Sequence, residues 1–449
     1  MDIINYPNYN VNKKRCKESD FMSNQVKVAI VGLGSRGKDT YAKTAHLFSD
    51  KMKIVAIADI VSEKVQEVSE EYQIPPEMCF SSAEEMLRHP KLADVMFICT
   101  QDRQHYEHAI PALTKGYHLL LEKPISPELR QCKEIARTAH QYHRKIVVCH
   151  VLRYTPFYQT LKKILTTGEI GEIVSIQAIE NVGYWHQAHS FVRGNWRNSD
   201  SSSPMVLQKS CHDMDILLWL AGKKCNYVSS FGGLRLFKRE NAPEGSTMRC
   251  TDDCTVKDSC PFNAERIYLT DGVQKGKTDW PINVLTLHPT VETVSEALQT
   301  GPYGRCVYHC DNNVVDHQVV NLELEDDTTI SFTMCAFTSD NSRNLKIMGT
   351  KGDITADMST MLIEVCPFGK PKQVIDVKTL ADDFSGHGGG EHRMIKELLD
   401  LIQDTTEISK DISLIDQSTE SHYVALAAEY SRIHHGVSVR LEQFIETYQ

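Results

Sequence analysis

No stretch of this 449-residue chain approaches the ~20 consecutive apolar residues that cross a bilayer, so no membrane-spanning helix is expected. The opening residues, MDIINYPNYNVNKKRCKESDFMSN, carry no apolar core of the kind a secretory signal needs, and residues 1–24 read as a flexible extension. A basic excess is missing too. The formal net charge is −10, which argues against a nucleic-acid binder, since that would need a positive face to meet phosphate. No internal repeat or low-complexity tract is present. Cysteine is not scarce, at 14 residues. In a long chain without an export signal, reduced thiols and a cytoplasmic location are the expectation. The 41% of hydrophobic residues can build a core without disulfide or metal staples. The length predicts two or three domains.

Short apolar strands alternate with helices through the first third. Strands are predicted at 26–31, 53–59, 93–99, 118–121 and 145–149, and helices at 38–48, 61–72, 105–115 and 127–143. Such alternation predicts an α/β domain with a doubly wound parallel sheet, a Rossmann domain over 25–148. The pattern then changes. Segments such as 173–180, 227–237, 319–325, 328–335, 344–348 and 361–366 alternate apolar and polar residues, which predicts a large, mostly antiparallel sheet with one wet face. Helices are expected at 157–167, 210–221, 391–402 and 416–435. Residues 149–449 thus read as an α+β substrate and oligomerisation domain, with a cysteine-rich insert at about 238–310. An open, half-apolar sheet needs a cover, so a homo-oligomer is expected.

Gly32-Leu33-Gly34-Ser35-Arg36-Gly37 follows the first strand and opens a helix. Glycines there permit a tight turn and a close backbone approach to a pyrophosphate, which the helix N-terminus favours. Asp59 ends the second strand, where a carboxylate accepts hydrogen bonds from ribose hydroxyls and repels a 2′-phosphate. No Arg or Lys follows at 60–63, so NAD is favoured over NADP. The plain alternative is that Asp59 only caps a strand end. Lys123 falls just past another strand C-terminus, where open α/β sheets place ligands.

Ser210 with Asp213 three residues on resembles a capping box, which sets His212 in the first turn of a helix. The dipole there disfavours imidazolium, and a neutral imidazole can take a proton as general base. Asp215 shares its face. The segment 181–197 gathers Tyr184, Trp185, His186, His189, Arg193, Trp196 and Arg197, a mix of stacking faces and donors that suits a sugar. It equally suits a loop packed on itself or on a partner subunit. His387-Gly388-Gly389-Gly390-Glu391-His392 opens a late helix, as a substrate contact or a hinge. Cys250, Cys254, Cys260 and Cys310, with Cys306 and His309 nearby, read either as a structural zinc clip or as separate buried thiols.

At Glu122-Lys123-Pro124 the chain resembles the Gfo/Idh/MocA family of oxidoreductases, a likeness that covers nearly everything from residue 25 onward. The resemblance rests on Cys99-Thr100, His105-Tyr106-Glu107, Gly116-Tyr117-His118, Glu122-Lys123-Pro124, residues 148–156 with Arg153 and Pro156, Gly168-Glu169-Ile170-Gly171-Glu172-Ile173 and residues 421–433. It implies an N-terminal NAD-binding domain and a C-terminal α/β domain. It implies catalytic roles for Lys123 and His212. It also implies a cofactor site drawn from Gly32, Gly34, Ser35, Arg36, Asp59, Thr100, His105, Glu122 and Lys123. Arg153, Tyr184, Trp185, His186, Lys209 and Asp215 are the expected substrate-side residues. One departure stands out: Gln208, followed by Lys209, occupies the position where the family often carries an aspartate four residues before the histidine. The resemblance implies a dehydrogenase of sugars or polyols. Two alternatives are an NAD-recycling glycosidase that works through a keto-sugar, and a non-catalytic NAD-binding regulator.

Overall fold

The computed structural model describes residues 25–404 and 409–447. The expected N-terminal extension, 1–24, lies outside them.

The first sheet has six strands, β1 (Val26–Val31), β2 (Met52–Ala58), β3 (Cys79–Phe80), β4 (Val95–Ile98), β5 (His118–Leu121) and β6 (Ile146–Val148). They run parallel in the order β3-β2-β1-β4-β5-β6. The order reverses beside β1, so a crevice opens at the C-terminal ends of β1 and β4. The strands read as continuous apolar runs because helices cover both faces. Val28 and Ile30 enter one core while Ala29 and Val31 enter the other, as the two-residue period of a strand requires.

The core under Val28 and Ile30 also takes Met394, Ile395, Leu398 and Leu399. These belong to the helix Gly390–Gln403, whose apolar stripe has helical spacing. The late chain therefore packs back onto the first sheet. Proximity in sequence hid this, because the stripe says only that the helix is half-buried and not which sheet covers it.

The second sheet has nine strands in the order β14-β13-β12-β11-β7-β10-β9-β8-β15. At its centre β7 (Ile173–Gly183) pairs in parallel with β10 (Thr329–Thr338) and antiparallel with β11 (Ser342–Gly349). The remaining strands are β8 (Cys225–Gly233), β9 (His317–Leu324), β12 (Gly352–Asp357), β13 (Leu362–Pro367), β14 (Gln373–Asp376) and β15 (Val439–Arg440). β12, β14 and β15 are absent from the sequence prediction, because they are short and polar. Helices Cys211–Ala221 and Ile415–Ile433 cover one face. The other face exposes Ile179, Phe231 and Phe337.

The segment expected as a loop at 181–197 is instead the end of β7, a helical turn Tyr184–His186 and a wide helical stretch Gln187–Arg193 with every residue buried. It is buried because the insert folds over it. The insert builds two small cores, one around Phe237, Phe262 and Val307, the other around Tyr268, Ile282 and Leu298. Among the described residues no helix is long and apolar enough to cross a membrane.

Candidate active site

The glycine loop is shaped by close approach. Gly32 has φ of +87°, and a Cβ there would stand 2.6 Å from the Cys99 carbonyl oxygen. A Cβ on Gly37 would stand 2.0 Å from the Gly32 oxygen. Gly34 differs, since a Cβ would meet nothing within 4 Å. Two glycines let the chain pack, and the third leaves bare backbone facing open space, which fits the approach of a pyrophosphate. The Asp59 carboxylate accepts from the Leu33 N–H at 2.6 Å and the Val61 N–H at 2.8 Å. It ties the end of β2 to the glycine loop.

Arg36 is not free to meet a phosphate. Its guanidinium pairs with Glu122 at 2.8 Å and Glu391 at 3.2 Å and donates to the Tyr41 hydroxyl at 2.7 Å. Burial opposes the charge on Glu122, but Arg36 and Tyr41 hold its carboxyl below the usual range. His105 faces the carbonyls of Pro124 at 2.7 Å and Thr100 at 3.1 Å, so it braces the turn after β5. The Thr100 hydroxyl contacts the His108 ring at 3.0 Å. Arg36, Glu122 and His105 thus hold the crevice's walls. The contacts they make are to protein groups.

The Lys123–Pro124 peptide is cis. The Lys123 ammonium reaches across to donate to the Gln208 carbonyl at 2.7 Å. His212 stands in the first turn of the next helix, 6% exposed, with Nδ1 unpartnered. Burial, then the charge of Lys123, pushes its pKa well below the ordinary value, so the imidazole is neutral. Ring centroids of His150 and His387 lie 5.9 Å and 6.3 Å from it.

The expected capping box does not form. Ser210 is the N-cap residue but makes no side-chain cap. Its hydroxyl donates to Glu180 at 2.8 Å, and Asp213 accepts from Arg343 at 2.7 Å. Buried charge outcompetes the helix end, since an unpaired buried ion costs more than an unmade cap. Arg343 also pairs with Glu180, and the Lys209 ammonium lies 3.7 Å from it. Against the cost of burial, Arg343 and Lys209 hold Glu180 down at about 2. Burial, with the neighbouring Glu180 charge, raises Asp213 to about 7 despite Arg343.

Beside this cluster stands an aromatic wall. The Trp280 ring from the insert lies 5.6 Å from Trp185, 5.0 Å from His186 and 5.4 Å from His189. His186 contacts Asn341 at 2.9 Å, and His189 contacts the Tyr268 hydroxyl at 2.8 Å. Tyr184 packs on Phe262. Arg153 and Asp215 engage one another instead of an open site, through two bonds of 2.7 Å. Both are almost wholly buried, and they line a separate cavity of about 970 Å³ with Lys162, Trp219 and Asp411. Of the cysteines, Cys306 lines a small cavity with Cys250, Cys254 and Cys260. The Cys310 thiol donates instead to the Cys306 carbonyl at 3.3 Å.

Sequence reasoning missed Glu180, Arg343 and His150. Glu180 carried a signal, because it shares the inward face of β7 with Ile176, Ala178 and Val182. Arg343 carried none, since its place opposite Glu180 depends on the pairing of β11 with β7.

Family models match both halves of the chain. Residues 26–150 match the oxidoreductase family with an NAD-binding Rossmann fold, and 162–414 match the C-terminal α/β domain of that family. The chain belongs to the Gfo/Idh/MocA oxidoreductase family. It is 22% identical over 394 residues to a provisionally named oxidoreductase, YteT of Bacillus subtilis, covering 83% of this chain and 88% of that one. It is 28% identical over 156 residues to the D-glucoside 3-dehydrogenase of Escherichia coli, covering 35% of this chain and 43% of the relative. It is 24% identical over 204 residues to the inositol 2-dehydrogenase of Corynebacterium glutamicum, 45% of this chain and 56% of the relative. The matches to these two dehydrogenases therefore span only about half of either relative.

Among solved structures, the inositol dehydrogenase homologue of Azotobacter vinelandii complexed with NAD+ aligns with a TM-score of 0.66 at 13% identity, over 93% of this chain and 98% of that one. The super-repressor mutant of Gal80p from Saccharomyces cerevisiae aligns equally well, with a TM-score of 0.66 at 14% identity, over 94% and 99%. At such identities the likeness shows the fold alone, and one fold serves several functions.

Proposed function

We propose that the chain is an NAD-dependent dehydrogenase of a sugar, polyol or glycoside, with Lys123 and His212 as its catalytic residues. The observation that carries this is their placement. An ammonium held by the Gln208 carbonyl and a neutral, buried imidazole stand near each other past the C-terminal ends of the first sheet. Names of the partial relatives, a glucoside 3-dehydrogenase and an inositol 2-dehydrogenase, support the substrate class.

The glycine loop and Asp59 would hold the dinucleotide, with the carboxylate favouring NAD over NADP. Bound NAD supplies the hydride acceptor. Lys123 orients the reacting hydroxyl and stabilises negative charge as it develops on that oxygen. His212 takes the hydroxyl proton, which a neutral ring can do and an imidazolium cannot. Burial keeps water from that ring. The aromatic wall of Trp185, His186 and Trp280 offers apolar faces to a sugar ring and polar edges to its hydroxyls. Oligomerisation through the outer face of the second sheet is part of the same reading, supported by its exposed Ile179, Phe231 and Phe337.

One observation favours a second reading. Lys209 adds an ammonium to the substrate end, and Asp213 a carboxyl that burial and the neighbouring Glu180 charge push up to about 7. Such a group can protonate a leaving oxygen. An enzyme that oxidises a glycoside, eliminates its aglycone and then returns the hydride would use it. Incubation with NAD, free sugars and chromogenic glycosides separates the two. Net NADH with a free sugar or polyol supports the dehydrogenase. NAD-dependent aglycone release without net NADH supports the second reading. Neither signal with any compound, while NAD binds, overturns both in favour of a regulator.

A further inference from the structure

The insert holds a group of side chains that the proposed chemistry does not use. Cys250 and Cys306 are neighbours through a short antiparallel contact, in which Arg249 bridges Arg305. The Cys250 N–H donates to the Gly304 carbonyl at 2.8 Å and the Cys306 N–H to the Met248 carbonyl at 2.9 Å. Cys254 and Cys260 lie on the turns that follow Cys250. All four line one cavity of about 20 Å³, and none forms a disulfide.

A second observation points to negative charge at this cavity. Arg193 is 0% exposed. Its guanidinium donates to the carbonyls of Arg305 and Phe262, both at 2.7 Å, and to the Cys250 sulfur at 3.6 Å. Nη1 has no partner, and the side chain forms no ion pair with a carboxylate among the described residues. A fully buried cation without an anion is costly. Four neutral thiols do not balance it. Four thiolates around a divalent or cluster metal carry a net negative charge and do.

We propose that Cys250, Cys254, Cys260 and Cys306 bind a thiophilic metal centre, with Arg193 as its buried counter-charge and Cys310 outside the ligand set. Binding of a zinc ion displaces the four thiol protons and needs no redox step; a cluster is taken up preassembled, with its sulfide, in exchange for the same protons. The ligand chemistry suits either zinc or an iron–sulfur cluster. No three of the sulfurs lie within 4.8 Å of one another. A single zinc, with Zn–S bonds of about 2.3 Å, requires the four sulfurs to close in around it. Cys250 shares a core with Tyr268, whose hydroxyl contacts His189, so the centre braces that side of the aromatic wall.

The test is the metal content of the full chain, purified anaerobically from cells supplied with zinc and iron. Zinc, iron and acid-labile sulfide are measured together with the visible spectrum. About one zinc per chain, or about four irons with matching sulfide and visible charge-transfer absorbance, supports the proposal and identifies the metal. Cys254→Ser should cut the metal at least tenfold, while Cys310→Ser should keep it. Should Cys254→Ser fail to fold, titrating the wild-type thiols with a mercurial serves instead, releasing metal in step with about four thiols. Less than a tenth of an equivalent of any metal in the wild type overturns the proposal, as does loss of metal in Cys310→Ser alone.

Discussion

Two buried clusters flank the proposed reaction centre, and each sets one arginine against two carboxylates. On the Rossmann side Arg36 meets Glu122 and Glu391; on the sheet side Arg343 meets Glu180 and Asp213. Their electrostatic outcomes differ. Around Arg36 both carboxyls stay low: burial is outweighed at Glu122 by Arg36 and Tyr41, and at Glu391, which His387 and Arg36 hold at about 2. Around Arg343 one carboxyl sits at about 2 and its neighbour at about 7. The difference lies in spacing. The Glu180 charge bears directly on Asp213, and the two cannot both ionise cheaply in a dry site, whereas Glu391 is not among the groups that act on Glu122. The first cluster is a brace. The second holds a carboxyl that burial and a neighbouring charge push up to about 7.

The comparison can be broken or sharpened by mutation. The largest effect is expected between the clusters. His212→Ala or Lys123→Ala should lower kcat by about 10²–10⁴ with little change in thermal stability. Steady-state kinetics and thermal unfolding measure the two. Next is Arg36→Met, which leaves two buried carboxylates without their cation. It should cost about 3 kcal/mol in denaturant unfolding, the low end for a buried pair because the guanidinium is partly exposed.

Asp213→Asn should act through pH. A carboxyl whose pKa is raised by folding supports the fold while protonated, and that support fades as pH rises through the folded value. The wild type should therefore lose stability as pH climbs from about 4 towards about 7. The Asn variant should show a flatter profile over that window. Identical profiles would make the second cluster a brace like the first. The smallest effect is expected at the wall. Trp280→Ala should raise KM for a sugar roughly fivefold, about 1 kcal/mol of lost stacking, with kcat nearly kept.

The two clusters also differ in how far the sequence announces them. Arg36 and Glu122 stand in recognisable motifs, GxGxRG and EKP, at the ends of strands whose apolar runs mark a buried parallel sheet. What spacing could not say is that these two pair with each other. Lys123 and His212 were legible for the same reason, each at the end of a clear element. The second cluster was half legible. A glutamate on the inward face of β7 is a signal, but its partner sits more than 160 residues away and needs the β7–β11 register. The capping box misled because Ser210 and Asp213 fit a local rule that a buried arginine overrides. The aromatic wall was legible in Trp185 and His186 and not in Trp280, which the insert delivers from about 95 residues downstream.

The most direct test of the central claim is single-turnover mixing of enzyme and NAD with a reactive carbohydrate, following nicotinamide absorbance in the wild type, His212→Ala and Lys123→Ala. The account predicts a transient in the wild type that slows at least a hundredfold in both variants while NAD affinity stays within about twofold. A transient of unchanged rate in either variant would contradict it.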